Sequence, residues 1–257
     1  MGLTQLIDRI VDIFRPSPVN LPSMSDADIA FLSERVVFYQ DLEASDKPKF
    51  ESRCQEFILN TEFVGHELEV TREDQLLVAS GSVILAWGFD RWSYVNVDTV
   101  YLVPRSFNES SEFGQQDSNI TGLVGTHHLS GKMILCQPAL HYGFSNDRDK
   151  RNVAIHEFAH LIDMADGQID GLPAQIADRA YSLPWFDLVQ RKISEINSGK
   201  SNIRDYGATN NAEFFAVASE YFFERPKMLE RKHPELYKGL ERFYKQSRSE
   251  TKPNLKN

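Results

Sequence analysis

The stretch that most constrains the fold is His156-Glu157-Phe158-Ala159-His160. An α-helix turns once in 3.6 residues, so positions i and i+4 leave one face and two imidazoles can meet at one point. In a strand the same residues would lie too far apart to share a ligand. Two histidines at this spacing with a glutamate beside the first form a metal-binding motif, in which the glutamate can take a proton from metal-activated water. The flanks agree with a helix: Ser145, Asn146, Asp147 and Asp149 offer an N-cap and first-turn acids. Val153, Ile155, Phe158 and Ile162 then recur at helical spacing, and Gly167 can close the helix in a left-handed cap. The plainer alternative is two partly exposed histidines on an amphipathic helix.

A catalytic metal site needs a third protein ligand and one open position. Some fifty residues on, Asn210-Asn211-Ala212-Glu213-Phe214-Phe215-Ala216-Val217 opens a second helix, in which Glu213 is the lone acid on a face otherwise fit for burial. A carboxylate so placed needs a partner, and a metal is the strongest available. Glu213 also stands where a capping box would put it if Asn210 is the N-cap, so a purely structural role is the competing reading. Glu220, seven residues on, is the rival ligand, or an acceptor behind a ligand histidine; Asp163 has the same ambiguity. Tyr206, in the preceding loop, can reach the site and donate its phenol to an oxyanion, or be simply a packed loop tyrosine.

Composition narrows the function classes. A chain of 257 residues with 41% hydrophobic residues can bury a core without disulfides, and a net charge of −9 argues against direct nucleic-acid binding. Cys54 and Cys136 form neither a CxxC nor a zinc-finger spacing and suit a reducing, cytoplasmic setting. No run approaches the ~18 apolar residues of a membrane span, and Asp8 and Asp12 interrupt any signal-like start. Charge is unevenly spread. From Arg225 onward there are ten Lys/Arg against four Asp/Glu, leaving eighteen basic and thirty-three acidic residues elsewhere. Such a basic end can dock on the acidic body, across a cleft rim for example, or remain a solvated helix face.

Along the chain, Leu3, Leu6, Ile7, Ile10 and Phe14 predict an amphipathic helix, ended by Arg15-Pro16-Ser17-Pro18. Further helices are expected from Ser25 to about Leu42, from Lys47 to Phe63 with Pro48 early, and from Thr71 to Phe89. Strands are expected at Tyr94 to Val103, Ile120 to Val124 and Lys132 to Cys136, the last either as a sheet edge able to take up an extended peptide or as an ordinary core strand. The remainder reads as helix, broken by loops around Gly167 to Pro173 and Ser198 to Thr209. Trp87, His127, His128 and His141 read as structural or rim residues. The expected class is therefore α+β, mainly helical with a small mixed sheet. Its expected parts are an N-terminal helix and linker (1–22), one domain (23–245) and a basic tail (246–257).

Taken together, His156-Glu157-Phe158-Ala159-His160 with Leu161-Ile162-Asp163, and Ala212-Glu213-Phe214-Phe215-Ala216-Val217-Ala218-Ser219-Glu220-Tyr221-Phe222-Phe223, resemble the Mlc titration factor A family of zinc peptidases. Phe63-Val64-Gly65-His66-Glu67-Leu68-Glu69-Val70-Thr71 resembles its counterpart there too. The metal site of that family is similar to that of the anthrax lethal factor catalytic domain. The resemblance implies a gluzincin-like core with one zinc on His156, His160 and Glu213, Glu157 as general base and Tyr206 as the transition-state donor. It implies a cytoplasmic peptidase of short peptides and, as for some members of that family, a partnership with a transcriptional repressor, Mlc, a DNA-binding regulator. The competing class is a binding protein that sequesters such a regulator around a structural zinc. Gly125-Thr126-His127-His128 departs from the family's Gly-Glu/Gln-Ala/Ser-Trp and leaves substrate and partner preference open.

Overall fold

Helix α1 (Asp26–Arg35) begins where its capping signals place it. The Ser25 hydroxyl accepts from the Asp28 amide at 3.2 Å, and the Asp28 carboxylate accepts from the Ser25 amide at 3.3 Å. The computed structural model describes residues 21–89, 94–108, 119–125, 130–146, 148–173 and 179–248. The helix expected at Leu3 to Phe14, the positions His127 and His128, and the end of the basic tail lie outside the described residues. The helix expected to run to Leu42 is broken at Val36, whose extended backbone (φ −111°, ψ 96°) separates α1 from α2 (Val37–Asp41). Helix α3 (Lys47–Leu59) also stops before Phe63. Glu62–Gly65 form strand β1 instead, because Phe63 and Val64 pair with Val100 and Tyr101. That partner is remote in sequence and outweighs local helix propensity.

Helix α4 (Arg72–Ala86) is buried over nearly all its length and opens with a Thr71/Asp74 capping box. Asp74 also accepts from Gln137 at 2.8 Å and pairs with His141 at 2.7 Å, so His141 has a structural role. The sheet adds β2 (Val97–Val103), β3 (Gly122–Val124) and β4 (Gly131–Cys136) in the order β1-β2-β4-β3. The first three of that order run parallel and β3 is antiparallel to β4, with Leu102 beside Leu135 and Leu123 beside Ile134. This decides between two expectations. Lys132 to Cys136 is an interior strand, and the edge belongs to β3, which the short hairpin folds back on its outer side.

Helices α5 (Gln137–Ser145) and α6 (Val153–Asp163) follow. Ser145 ends α5 rather than opening the metal helix. The N-cap of α6 is Asn152, whose Oδ1 accepts from the Ile155 amide at 3.2 Å. The break lies where the chain turns to meet a neighbouring helix: the Arg151 and Asn152 amides donate to Glu224 and Glu220. A 3-10 turn (Met164–Asp166) ends, as its glycine predicts, at Gly167 in the left-handed region (φ 91°).

The C-terminal half contains α7 (Arg179–Asn197), a 3-10 turn (Asp205–Ala208), α8 (Asn211–Glu224), α9 (Pro226–Lys232) and α10 (Pro234–Tyr244). Every residue of α6 is buried, between α4, α8 and the edge strand β3. Val153, Ile155, Phe158, Leu161 and Ile162 each contribute roughly 1.5–3 kcal/mol by burial, which offsets the cost of taking His156, Glu157 and His160 inside. Beyond α10 the chain continues onto the body. Gln246 donates to the Ile84 carbonyl at 3.0 Å and the Arg248 guanidinium lies 4.4 Å over the Phe38 ring. The start of the basic end is thus docked on α2 and α4. Among the described residues no helix is long and apolar enough to cross a membrane.

Candidate metal centre

One face of α6 carries both histidines inward, their rings edge-to-face with centroids 4.8 Å apart and the two Nε2 atoms 3.2 Å apart. Helix α8 brings Glu213 Oε2 to 3.1 Å from His156 Nε2 and 3.5 Å from His160 Nε2. Asn210 does cap α8, accepting from the Glu213 amide at 2.9 Å, but the Glu213 carboxylate itself is turned to the imidazoles. Ligand bonds of about 2.1 Å at tetrahedral angles separate ligand atoms by roughly 3.4 Å. The three observed separations of 3.1, 3.2 and 3.5 Å bracket that value. With both rings neutral, two imidazole nitrogens and a carboxylate oxygen turn electron pairs toward one point, an arrangement that a cation satisfies. The residues therefore fit a divalent metal.

The tautomer of His156 is set from behind. Its Nδ1–H donates to Glu220 Oε1 at 2.8 Å, which turns Nε2 toward Glu213 and the metal position. Glu220 is 2% exposed, accepts from the Asn152 amide at 2.7 Å and is paired with Arg204. Of the two candidate acids, Glu213 joins the imidazoles and Glu220 stands behind one of them. Asp163 faces the loop after α6, where it accepts from the Gly171 amide at 2.9 Å; burial pushes its carboxyl up to about 6. Burial disfavours charge on His156, but hydrogen bonds with Glu213 and Glu220 and the field of Glu157 outweigh it and push its imidazole up to about 10. Glu213 is lowered: burial opposes its charge, yet His156 and His160 overcome that. Both directions describe a pocket built to hold positive charge.

Glu157 is 5% exposed, and burial raises its carboxyl against the pull of His156 and His160. Its Cγ and Oε1 lie against Gly122 of β3: a Cβ there would stand 2.4 Å from Oε1. Tyr206, on the Asp205–Ala208 turn, places its ring 5.9 Å from that of His156 and is 53% exposed. Burial of its hydroxyl, then Glu213 and Glu157, push it up to about 12, so it remains a hydrogen-bond donor at neutral pH. His156, Glu157, His160, Glu213 and Tyr206 thus converge, while Asp163 faces away. Sequence reasoning missed Asn152, Arg204 and Gly122. The only available signals were a lone arginine two residues before Tyr206 and a glycine inside an expected strand.

The profile of the glucose-regulated metallo-peptidase M90 family matches residues 15–245. An uncharacterized protein of Synechocystis sp. is 29% identical over 226 residues, covering 84% of this chain and 82% of that protein. Proteins called Mlc titration factor A from Yersinia pestis and Yersinia pseudotuberculosis are 39% identical over 102 residues, 37% of this chain and 37% of the length of each.

Proposed function

Since the chain belongs to the glucose-regulated metallo-peptidase M90 family, we propose that it is a zinc-dependent peptidase acting through His156, His160, Glu213, Glu157 and Tyr206. The observation that carries this is the convergence of two imidazoles and one carboxylate at tetrahedral spacing, with a buried glutamate alongside. His156, His160 and Glu213 hold the ion, and zinc suits a two-imidazole, one-carboxylate set. When bound, zinc supplies the charge that lets water lose a proton at a pKa of about 7. Glu157 takes that proton on its carboxylate and returns it to the departing amine. The Tyr206 hydroxyl donates to the oxygen of the scissile carbonyl as charge develops there. Among the described residues β3 pairs only with β4, so its outer edge can align an extended peptide beside Glu157. A cytoplasmic location belongs to the same proposal, supported by free, buried Cys54 and Cys136.

The decisive measurement profiles the zinc-loaded protein against a peptide library alongside Glu157→Gln. The variant is expected to keep its zinc and lose roughly 10²–10⁴-fold in kcat. Wild-type hydrolysis by Glu157→Gln would refute the reading.

A second reading, that the protein binds and sequesters a DNA-binding repressor, is supported by the name of the Mlc titration factor A relatives. It predicts that Glu157→Gln retains repressor binding undiminished, since only proton transfer is removed.

A further inference from the structure

The turn that carries Tyr206 is fastened to the metal centre from beneath. Arg204 is the N-cap of that turn, and its carbonyl accepts from the Gly207 amide at 3.0 Å. Its guanidinium runs inward rather than to solvent, its side chain 21% exposed and its partner Glu220 2%. It donates to Glu220 Oε1, the same oxygen that accepts from His156 Nδ1; Oε2 accepts from the amide of Asn152, the N-cap of α6. One buried carboxylate therefore joins three parts: the start of the metal helix, the back of a metal-binding ring, and the turn bearing the oxyanion donor.

The neighbouring restraints do not replace that joint. Upstream, Asn202 donates to the Tyr221 hydroxyl at 2.7 Å and bonds His233 at 2.8 Å, and Ile203 is buried. Downstream, Asn210 caps α8. Between them, Gly207 is buried against Val217 of α8 and the Tyr206 hydroxyl is hydrogen-bonded to Glu213, but neither contact holds the start of the turn, where Arg204 stands. A buried carboxylate needs a cation or several donors, and Arg204 supplies both charge and N–H groups.

We propose that Arg204 is a positioning residue for Tyr206: its ion pair with Glu220 locks the 204–208 turn to His156, so that oxyanion donor and metal ligand are set by one carboxylate. The kinetic consequence rests on the peptidase reading; the structural one does not.

The test compares full-length, zinc-loaded wild type with Arg204→Gln and Arg204→Lys. It reads amide hydrogen exchange over 203–209, zinc content, and kcat and KM on a peptide that the wild type cleaves. Arg204→Gln is expected to exchange about tenfold faster or more across the turn, with α6 and α8 unchanged. It should keep its zinc and lose about 10- to 100-fold in kcat, with KM within about threefold. Arg204→Lys retains the charge without the planar fork and should recover part of both effects. Wild-type exchange and kcat in Arg204→Gln overturn the proposal. So does zinc loss with unchanged exchange of the turn, which would assign Arg204 to the metal helix alone. Should Arg204→Gln fail to fold, Arg204→Lys is judged by the same criteria with smaller expected shifts. If the wild type cleaves no peptide, the peptidase reading fails and the exchange comparison still decides the clamp.

Discussion

Gly122→Ala tests how closely the edge strand and Glu157 depend on one another. The backbone of Gly122 lies outside the left-handed region, so alanine can adopt it and the perturbation is purely one of space. The added methyl would stand 2.4 Å from Glu157 Oε1, 2.7 Å from Glu157 Cγ and 2.6 Å from Val153 Cγ2. Even a contact as short as 3.0 Å demands that the carboxylate retreat by 0.6 Å or that β3 lift away. Overpacking of this kind costs about 1–3 kcal/mol of stability. For catalysis the displacement matters more, because a misplacement of about 1 Å costs on the order of 10²-fold. The expected result is a fall of about 10- to 100-fold in kcat/KM with zinc retained, since the three atoms nearest the added methyl belong to Glu157 and Val153 and not to a ligand. Steady-state kinetics beside metal analysis reads both. A kcat/KM within about threefold of wild type, or a loss of zinc at full fold content, would refute the reasoning.

Chelator competition should separate the two acids of α8: Glu213→Ala strips zinc readily, whereas Glu220→Gln weakens it by only about 10- to 100-fold. The reverse order would move the third ligand to Glu220. Tyr206→Phe should lower kcat by about ten- to a thousand-fold with zinc unchanged; a fall confined to KM would make Tyr206 a uniform binding contact. Burial, then Glu220 and Asp149, push the Glu224 carboxyl up to about 9, so the folded chain keeps a proton that the unfolded chain releases above its ordinary value near 4.5. Stability is then lost as pH rises from about 5 to 9. Glu224→Gln should flatten that decline and raise the metal-free Tm at pH 8 by about 2–4 °C; unchanged pH dependence would mean that Glu224 is ionised in the folded chain.

What could be read from the chain in advance was what local chemistry decides. Thr71 with Asp74 and Ser25 with Asp28 cap their helices where their side chains predict, and Gly167 ends the 3-10 turn that follows the metal helix because it tolerates a positive φ. Misreadings fell where remote contacts take over. Nothing near Phe63 discloses that β2 will pair with it, and nothing at Ser145 discloses that Glu220 and Glu224 will draw the 151–152 amides into a new helix start. The strand Lys132 to Cys136 could be read as edge or interior, because a hairpin's fold-back side is set by twist and packing, not by composition.

The same division runs through the metal centre. His156, Glu157 and His160 are legible because one helical turn enforces their geometry, and Glu213 because a lone acid on a burial face asks for a partner. Glu220 satisfies the same description, so the sequence alone leaves the two acids competing. What separates them is the direction of approach. Helix α8 crosses α6 with Glu213 toward the Nε2 atoms and Glu220, two turns on, toward Nδ1 of His156. A carboxylate facing Nε2 can share a metal, while one facing Nδ1 can only take its proton and hold the ring. Arg204 follows from that arrangement: once Glu220 is buried behind the ring, its charge favours a cation beside the donors of Asn152 and His156, and the loop that carries Tyr206 provides one. The second layer of the site is thus a consequence of how α6 and α8 cross, which is why no motif announces it.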